Sequence, residues 1–135
     1  MFSGGQDSTT CLYWAKARFD DVLALAVAYG QRHAVELGQA RRIAHLAGVR
    51  YEEAHTDLFR FGAANALTTP ELPVQAPPGA PWPNTFVPAR NLVFFTLAAM
   101  VAWREGFADL VAGVCQADYS GYPDCREPFV ASAAQ

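Results

Sequence analysis

The sequence predicts an α/β fold, a parallel sheet whose strands are joined by crossover helices. Three observations carry this: segments of strand and helix character alternate, residues 22–29 form a continuous apolar run suited to a strand buried on both faces, and a Gly-rich turn opens directly into a helix. The first helix, capped by Asp7 or Ser8, runs to about Arg18. Cys11, Leu12, Ala15 and Phe19 recur on one face, and Lys16 and Arg18 sit at the negative end of the helix dipole. Asp20 and Asp21 turn the chain into the strand at 22–29, which Gly30 ends. A second helix follows over 34–47, with Leu37, Ala40, Ala44 and Ala47 at helical spacing and Gly48 as its stop, and then a short strand at about 49–55.

Residues 70–83 hold six of the nine prolines, which excludes a long helix or a central strand and predicts a loop, lid or linker. Beyond it the pattern predicts a buried helix at 92–105, stopped by Gly106, and a strand at 109–114. A last helix starts near Asp124, with Glu127 three residues on as a capping box and Pro128 in the first turn. There are no internal repeats.

Composition narrows the function classes. With 135 residues, 52% hydrophobic and 17% charged, the chain has the make-up of one core-forming domain and not of a disordered segment. A net charge of −3 argues against a broad electropositive surface for nucleic acid, so an anionic ligand must be held locally. The longest apolar run, 92–103 interrupted by Thr96, is shorter than the roughly 20 residues of a membrane span. The N-terminus lacks the basic and apolar regions of a secretory signal, so a cytoplasmic setting is expected. Three cysteines, Cys11, Cys115 and Cys125, contain no C-x-x-C and assign no metal site.

The chemistry is concentrated at Ser3-Gly4-Gly5-Gln6-Asp7-Ser8-Thr9-Thr10. Two glycines free the backbone for close approach to an anion, a helix N-terminus supplies unpaired N–H groups, and four hydroxyls surround them. The same residue types also make ordinary capped turns. The loop has neither the lysine and spacing of a Walker A motif nor the G-x-G-x-x-G of a dinucleotide fold. It resembles the S-G-G-x-D-S signature of the PP-loop ATP pyrophosphatases. That resemblance implies a Rossmann-like parallel sheet of the adenine nucleotide alpha-hydrolase kind. It also implies ATP with Mg²⁺ at Phe2, Ser3, Gly4, Gly5, Gln6, Asp7, Ser8, Thr9, Thr10, Cys11 and Leu12, and transfer of the α-phosphate to a substrate oxygen.

Four segments make the resemblance narrower: the extended loop 2–12, Tyr29-Gly30-Gln31-Arg32-His33, Asn84-Thr85-Phe86-Val87-Pro88-Ala89-Arg90-Asn91, and 113–126 with its Gly121-Tyr122-Pro123-Asp124-Cys125-Arg126 end. In this order they are similar to the 7-cyano-7-deazaguanine synthase family of queuosine biosynthesis, over nearly the whole chain. The resemblance implies a carbon–nitrogen ligase that takes 7-carboxy-7-deazaguanine, ammonia and ATP to the nitrile through an activated carboxylate and an activated amide. It implies small-molecule partners without nucleic acid or membrane, and leaves a homodimer open.

Arg90, Arg126, Asp124 and His33 are the candidate catalytic residues. Arg32, Arg90 and Arg126 offer planar forks for carboxylate or phosphate, and each could instead pair with a surface acid. His33 can relay protons or cap a helix. Asp118 and Asp124 are candidates for Mg²⁺ or a substrate amine, with an N-cap as the other reading of Asp124. Tyr119, Tyr122 and Phe86 can stack on a flat ring or fill core. Cys115 and Cys125 suggest an alternative, a PP-loop tRNA-modifying sulfurtransferase; a further alternative is a non-catalytic nucleotide-binding fragment.

Against the family pattern, Phe2 alone stands where a full apolar strand is expected before the loop, and the family's four-cysteine Zn²⁺ site has no ligands here. The expectation is therefore a partial nucleotide-binding domain over 1–135, incomplete at both termini and inactive alone, with a loop or lid at 70–83.

Overall fold

The computed structural model describes residues 1–30, 34–57, 69, 79, 82–116 and 121–135. Their elements are helix α1 (Gln6–Lys16), strand β1 (Leu23–Ala28), helix α2 (Ala34–Ala47), strand β2 (Arg50–His55), helix α3 (Arg90–Glu105), a 3-10 turn (Pro123–Cys125) and helix α4 (Glu127–Ala133). β1 and β2 pair in parallel, from Leu23 opposite Arg50 to Ala28 opposite His55, and α2 is the crossover that a parallel pair requires. The expected α/β architecture is present.

Small side chains let the helices approach the sheet closely. Ala24 of β1 and Ala40, Ala44 and Ala47 of α2 are buried together with Phe2 and Leu12, and Ile43, Val49 and Tyr51 pack around them. α1 buries Ser8, Leu12 and Ala15, one face at helical spacing. Its last basic residue serves another helix: the Lys16 amine donates to the carbonyl of Ala47, the end of α2. α2 itself stops where Gly48 turns left-handed at φ 66° and the Val49 N–H returns to the Ala44 carbonyl. Around the edge, Arg50 pairs with Asp21 at 2.9 Å and Glu105 at 2.8 Å, and Arg104 bridges Glu52 and Glu105, so charged side chains tie α3 to β2 and β2 to the turn before β1.

Three sequence expectations are corrected. Residues 109–114 form no strand. The Phe2 N–H donates to the Leu25 carbonyl at 2.7 Å and the Met1 amine to the Val111 carbonyl at 2.5 Å, so the first two residues stand between β1 and this segment. A ladder needs repeated bonds along an extended partner, and a single bond joins residues 109–114 to Met1 here. Next, α3 is buried on one face only: Asn91, Ala98 and Ala102 are covered, whereas Trp103 is 89% exposed and Met100 64%. Finally, Asp124 and Glu127 build no capping box. Asp124 belongs to the 3-10 turn, α4 starts at Glu127 with no side-chain cap on its Arg126 N-cap, and the Glu127 N–H donates to Gln116 Oε1 at 2.8 Å. Pro128 does lie in the first turn of α4.

Candidate functional site

The glycine loop is held by its own serines. Ser8 is buried, and its Oγ accepts from the Ser3 N–H at 3.3 Å, donates to the Gly5 carbonyl at 3.1 Å and lies 3.1 Å from Ser3 Oγ. Ser3 Oγ in turn accepts from the Gly5 N–H at 3.3 Å. These contacts fold residues 3–8 into a cup at the head of α1, where the first-turn N–H groups have no partner inside the helix. Gly4 adopts φ 81°, open to glycine at little cost, and a Cβ there would stand 3.0 Å from the Ala40 Cα. The loop thus rests directly on α2. A Cβ on Gly113 would stand 2.9 Å from the Asp7 carbonyl carbon and the Ser8 nitrogen, so Gly113 lies against the backbone of the first turn of α1.

Beside the cup lies a cleft of about 360 Å³. Ser3, Asp7 and Ser8 line it on the loop side, Arg90, Tyr122 and Cys115 elsewhere on its wall. Asp7 is exposed and Arg90 half-buried. The Arg90 guanidinium lies over the Tyr122 ring at 5.5 Å, and that ring stacks on Phe86 at 5.8 Å, which meets Trp82 at 5.8 Å. Tyr122 Oη and Thr85 Oγ1 are 2.5 Å apart. An arginine therefore ends an aromatic ladder at the cleft, well placed for an anion or a flat ring. Because Phe86 and Arg90 flank Tyr122, its ring buttresses Arg90 in this arrangement.

The other expected site residues separate. Phe2 and Leu12 are core residues, with Phe2 also reaching the cleft wall. Thr10 bonds back to the Gln6 carbonyl within α1, and the Thr9 hydroxyl is buried with no hydrogen-bond partner among the described residues. Cys11 faces a second, apolar cavity of about 130 Å³ below β1. Arg126 does not line the cleft; its guanidinium donates to the Gln116 carbonyl and its backbone caps α4. Asp124 is buried and receives the Asn91 N–H, so it caps α3 from 33 residues away. Arg32, His33, Asp118 and Tyr119 lie outside the described residues, as does 70–83 apart from residues 79, 82 and 83.

Sequence reasoning missed Ala40, Asn91, Gly113 and Gln116 as site-building residues. Asn91 and Gly113 stood inside the quoted motifs, where a glycine without a turn and an amide at a helix start were the available signals. Ala40 carries no local signal.

The order of these segments along the chain matches a known family. A family model described as queuosine biosynthesis protein QueC matches residues 1–135. The chain belongs to the QueC family. Among curated relatives, the 7-cyano-7-deazaguanine synthase of Laribacter hongkongensis is 54% identical over 129 residues, which cover 94% of this chain and 56% of the relative. That of Chromobacterium violaceum is 56% identical over 133 residues, again 94% and 56%. That of Bacteroides fragilis is 50% identical over 133 residues, 98% of this chain and 61% of the relative. The chain thus spans little more than half the length of these relatives. The described residues of this QueC chain include the glycine loop and the cleft wall beside it.

The fit of metals follows from the donors present. Mg²⁺ is commonly held by one or two carboxylates together with substrate phosphates, and the exposed Asp7 carboxylate lines the cleft beside the loop. Among the described residues no group of three or more His, Cys, Asp or Glu could hold a metal by itself. A four-cysteine zinc site does not fit a sequence whose cysteines number three.

Proposed function

We propose that this chain is the nucleotide-binding part of an ATP-dependent carbon–nitrogen ligase that makes 7-cyano-7-deazaguanine from 7-carboxy-7-deazaguanine and ammonia. The observation that carries it is the serine-braced glycine cup opening into the same cleft as Arg90. In this reading the N–H groups of the cup and of the α1 N-terminus take the phosphates of ATP, and residues 2–12 form the nucleotide site. Mg²⁺, held with those phosphates by Asp7, would supply charge neutralisation to the departing pyrophosphate.

The acid's carboxylate oxygen bonds to the α-phosphorus as the bond to pyrophosphate breaks. Ammonia adds at the acyl carbon, AMP departs with the carboxylate oxygen and the amide results. A second ATP activates the amide oxygen in the same way, and loss of AMP and the amide protons leaves the nitrile. Each step gathers negative charge on oxygen, which preorganised donors stabilise, and Arg90 stands where such charge would collect. Arg126 would support the site from the α4 side, and His33 would carry protons during the dehydration. No helix among the described residues is long and apolar enough to cross a membrane. The reading assigns the protein to the cytoplasm with small-molecule partners.

Calorimetric titration of the chain with Mg-ATP, followed by product analysis with the acid and ammonia, tests this. ATP is expected to bind, and any turnover to yield AMP and pyrophosphate. Absence of ATP binding, or release of ADP and phosphate, would overturn it.

A further inference from the structure

We infer that Asp124 and Asn91 form a buried lock that positions Arg90 at the cleft, acting through Arg90 and Tyr122 and not on the reacting atoms. The start of α3 is unusual. Its N-cap, Ala89, takes φ 62°, the one non-glycine residue in the left-handed region among the described residues. An L side chain rarely adopts that conformation, so neighbouring contacts must impose it. The Arg90 N–H turns back to the Val87 carbonyl at 3.1 Å. The next N–H, of Asn91, donates to Asp124 Oδ2 at 3.2 Å, and Asn91 Nδ2 donates to the Asp124 carbonyl at 2.9 Å. Both residues are 6% exposed, so these two bonds are shielded from water.

The position of the lock gives it a consequence. One half adjoins Arg90 in sequence, and the other lies two residues after Tyr122. It therefore sets the separation of the α3 start from the 3-10 turn, the separation on which the Arg90–Tyr122 contact at 5.5 Å depends. Thr85 and Phe86 steady the Tyr122 ring from its other sides. Asp124 does not line the cleft; its Oδ2 accepts from α3, while its Oδ1 is buried with no hydrogen-bond partner among the described residues. Asn91 meets Asp124 twice, through its backbone N–H and its side-chain amide, and that amide also reaches Cys125 Sγ at 3.5 Å.

The ligand in this inference, a flat carboxylic acid at Arg90, rests on the function proposed above. The lock rests on the hydrogen bonds alone, and the experiment separates the two. In the full chain, amide exchange at Asn91 and the affinities for Mg-ATP and for 7-carboxy-7-deazaguanine are measured for the parent and for Asp124→Ala, Asp124→Asn, Asn91→Ala and Arg90→Ala. Asp124→Ala is expected to speed Asn91 exchange and to weaken the acid by about tenfold, as Arg90→Ala does, leaving ATP affinity within about twofold. Asp124→Asn keeps a side-chain acceptor and the carbonyl, so it should rescue both readouts.

If Asp124→Ala also loses ATP, the gentler Asn91→Ala decides, with the acid weakened and ATP retained. The lock is overturned if Asp124→Asn is as damaging as Asp124→Ala, which would give the charge itself the role, or if Asn91 exchange is unchanged in Asp124→Ala. If parent and Arg90→Ala bind the acid alike, the proposed ligand of Arg90 is wrong, and Asn91 exchange still decides the lock.

Discussion

Replacing Gly113 by alanine adds one methyl group at the tightest backbone contact of the site. The new carbon would stand 2.9 Å from the Asp7 carbonyl carbon and Ser8 nitrogen and 3.1 Å from the Ser8 Cα. That is roughly 0.5–1 Å short of an ordinary carbon contact. All three atoms are backbone in the first turn of α1, so no side chain can swing aside. The turn has little room to retreat, because Gly4 already lies against Ala40, which is 0% exposed.

Overpacking of this kind costs about 1–3 kcal/mol, which at a urea slope of about 1–2 kcal/mol/M moves the midpoint down by roughly 0.5–3 M. The displaced first turn carries the phosphate-facing N–H groups, so Mg-ATP affinity should fall by about tenfold or more. Urea unfolding and calorimetry read the two effects. Gly38→Ala supplies the control: it is the same chemical change on α2, where the added carbon meets nothing within 4 Å, and it should stabilise by up to about 1 kcal/mol. A Gly113→Ala protein with parental stability and ATP affinity would refute the reasoning.

Other outcomes follow from single contacts. Ser8→Ala removes the hydroxyl that joins Ser3 to Gly5 and should cost about 1–2 kcal/mol with a weaker Mg-ATP titration; unchanged ATP affinity would show the brace to be dispensable. Cys115→Ser should leave ATP binding and acid-dependent AMP release intact, since the reading asks no thiol chemistry of it; loss of turnover with folding preserved would favour the sulfurtransferase alternative. Burial first, and then the hydrogen bond donated to Glu53, push the Tyr51 hydroxyl up to about 12. Unfolded tyrosine ionises near pH 10, so the folded state keeps a proton that the unfolded state releases, and stability should decline as pH rises from about 10 toward 12. Tyr51→Phe should remove that part of the decline, as unfolding free energy against pH would register.

The sequence was legible wherever the determinants were local. The apolar run at 22–29, Gly48, Gly106 and the 3.6-residue recurrence over 34–47 act through neighbouring backbone, and the resulting elements lie at Leu23–Ala28, Ala34–Ala47 and Arg90–Glu105. The segment at 109–114 has strand composition but needs a partner, and composition cannot show whether one lies alongside. Asp124 reads as a cap, and it is one, but for a helix whose bonded N–H, of Asn91, lies 33 residues earlier. A carboxylate serves whichever N–H the fold brings to it.

By itself, then, the sequence determined the α/β class, the glycine cup, the family and the segments that meet at the cleft, because these are written in short motifs and periodicity. The tertiary structure alone decided that Ala40 and Gly113 press against the cup and that Arg90 ends an aromatic ladder. It also decided that Asp124 is tied to Asn91 and that Arg126 turns to Gln116. Each of those outcomes is a contact between residues far apart along the chain. Such contacts depend on the distance between packed elements, which no local pattern encodes.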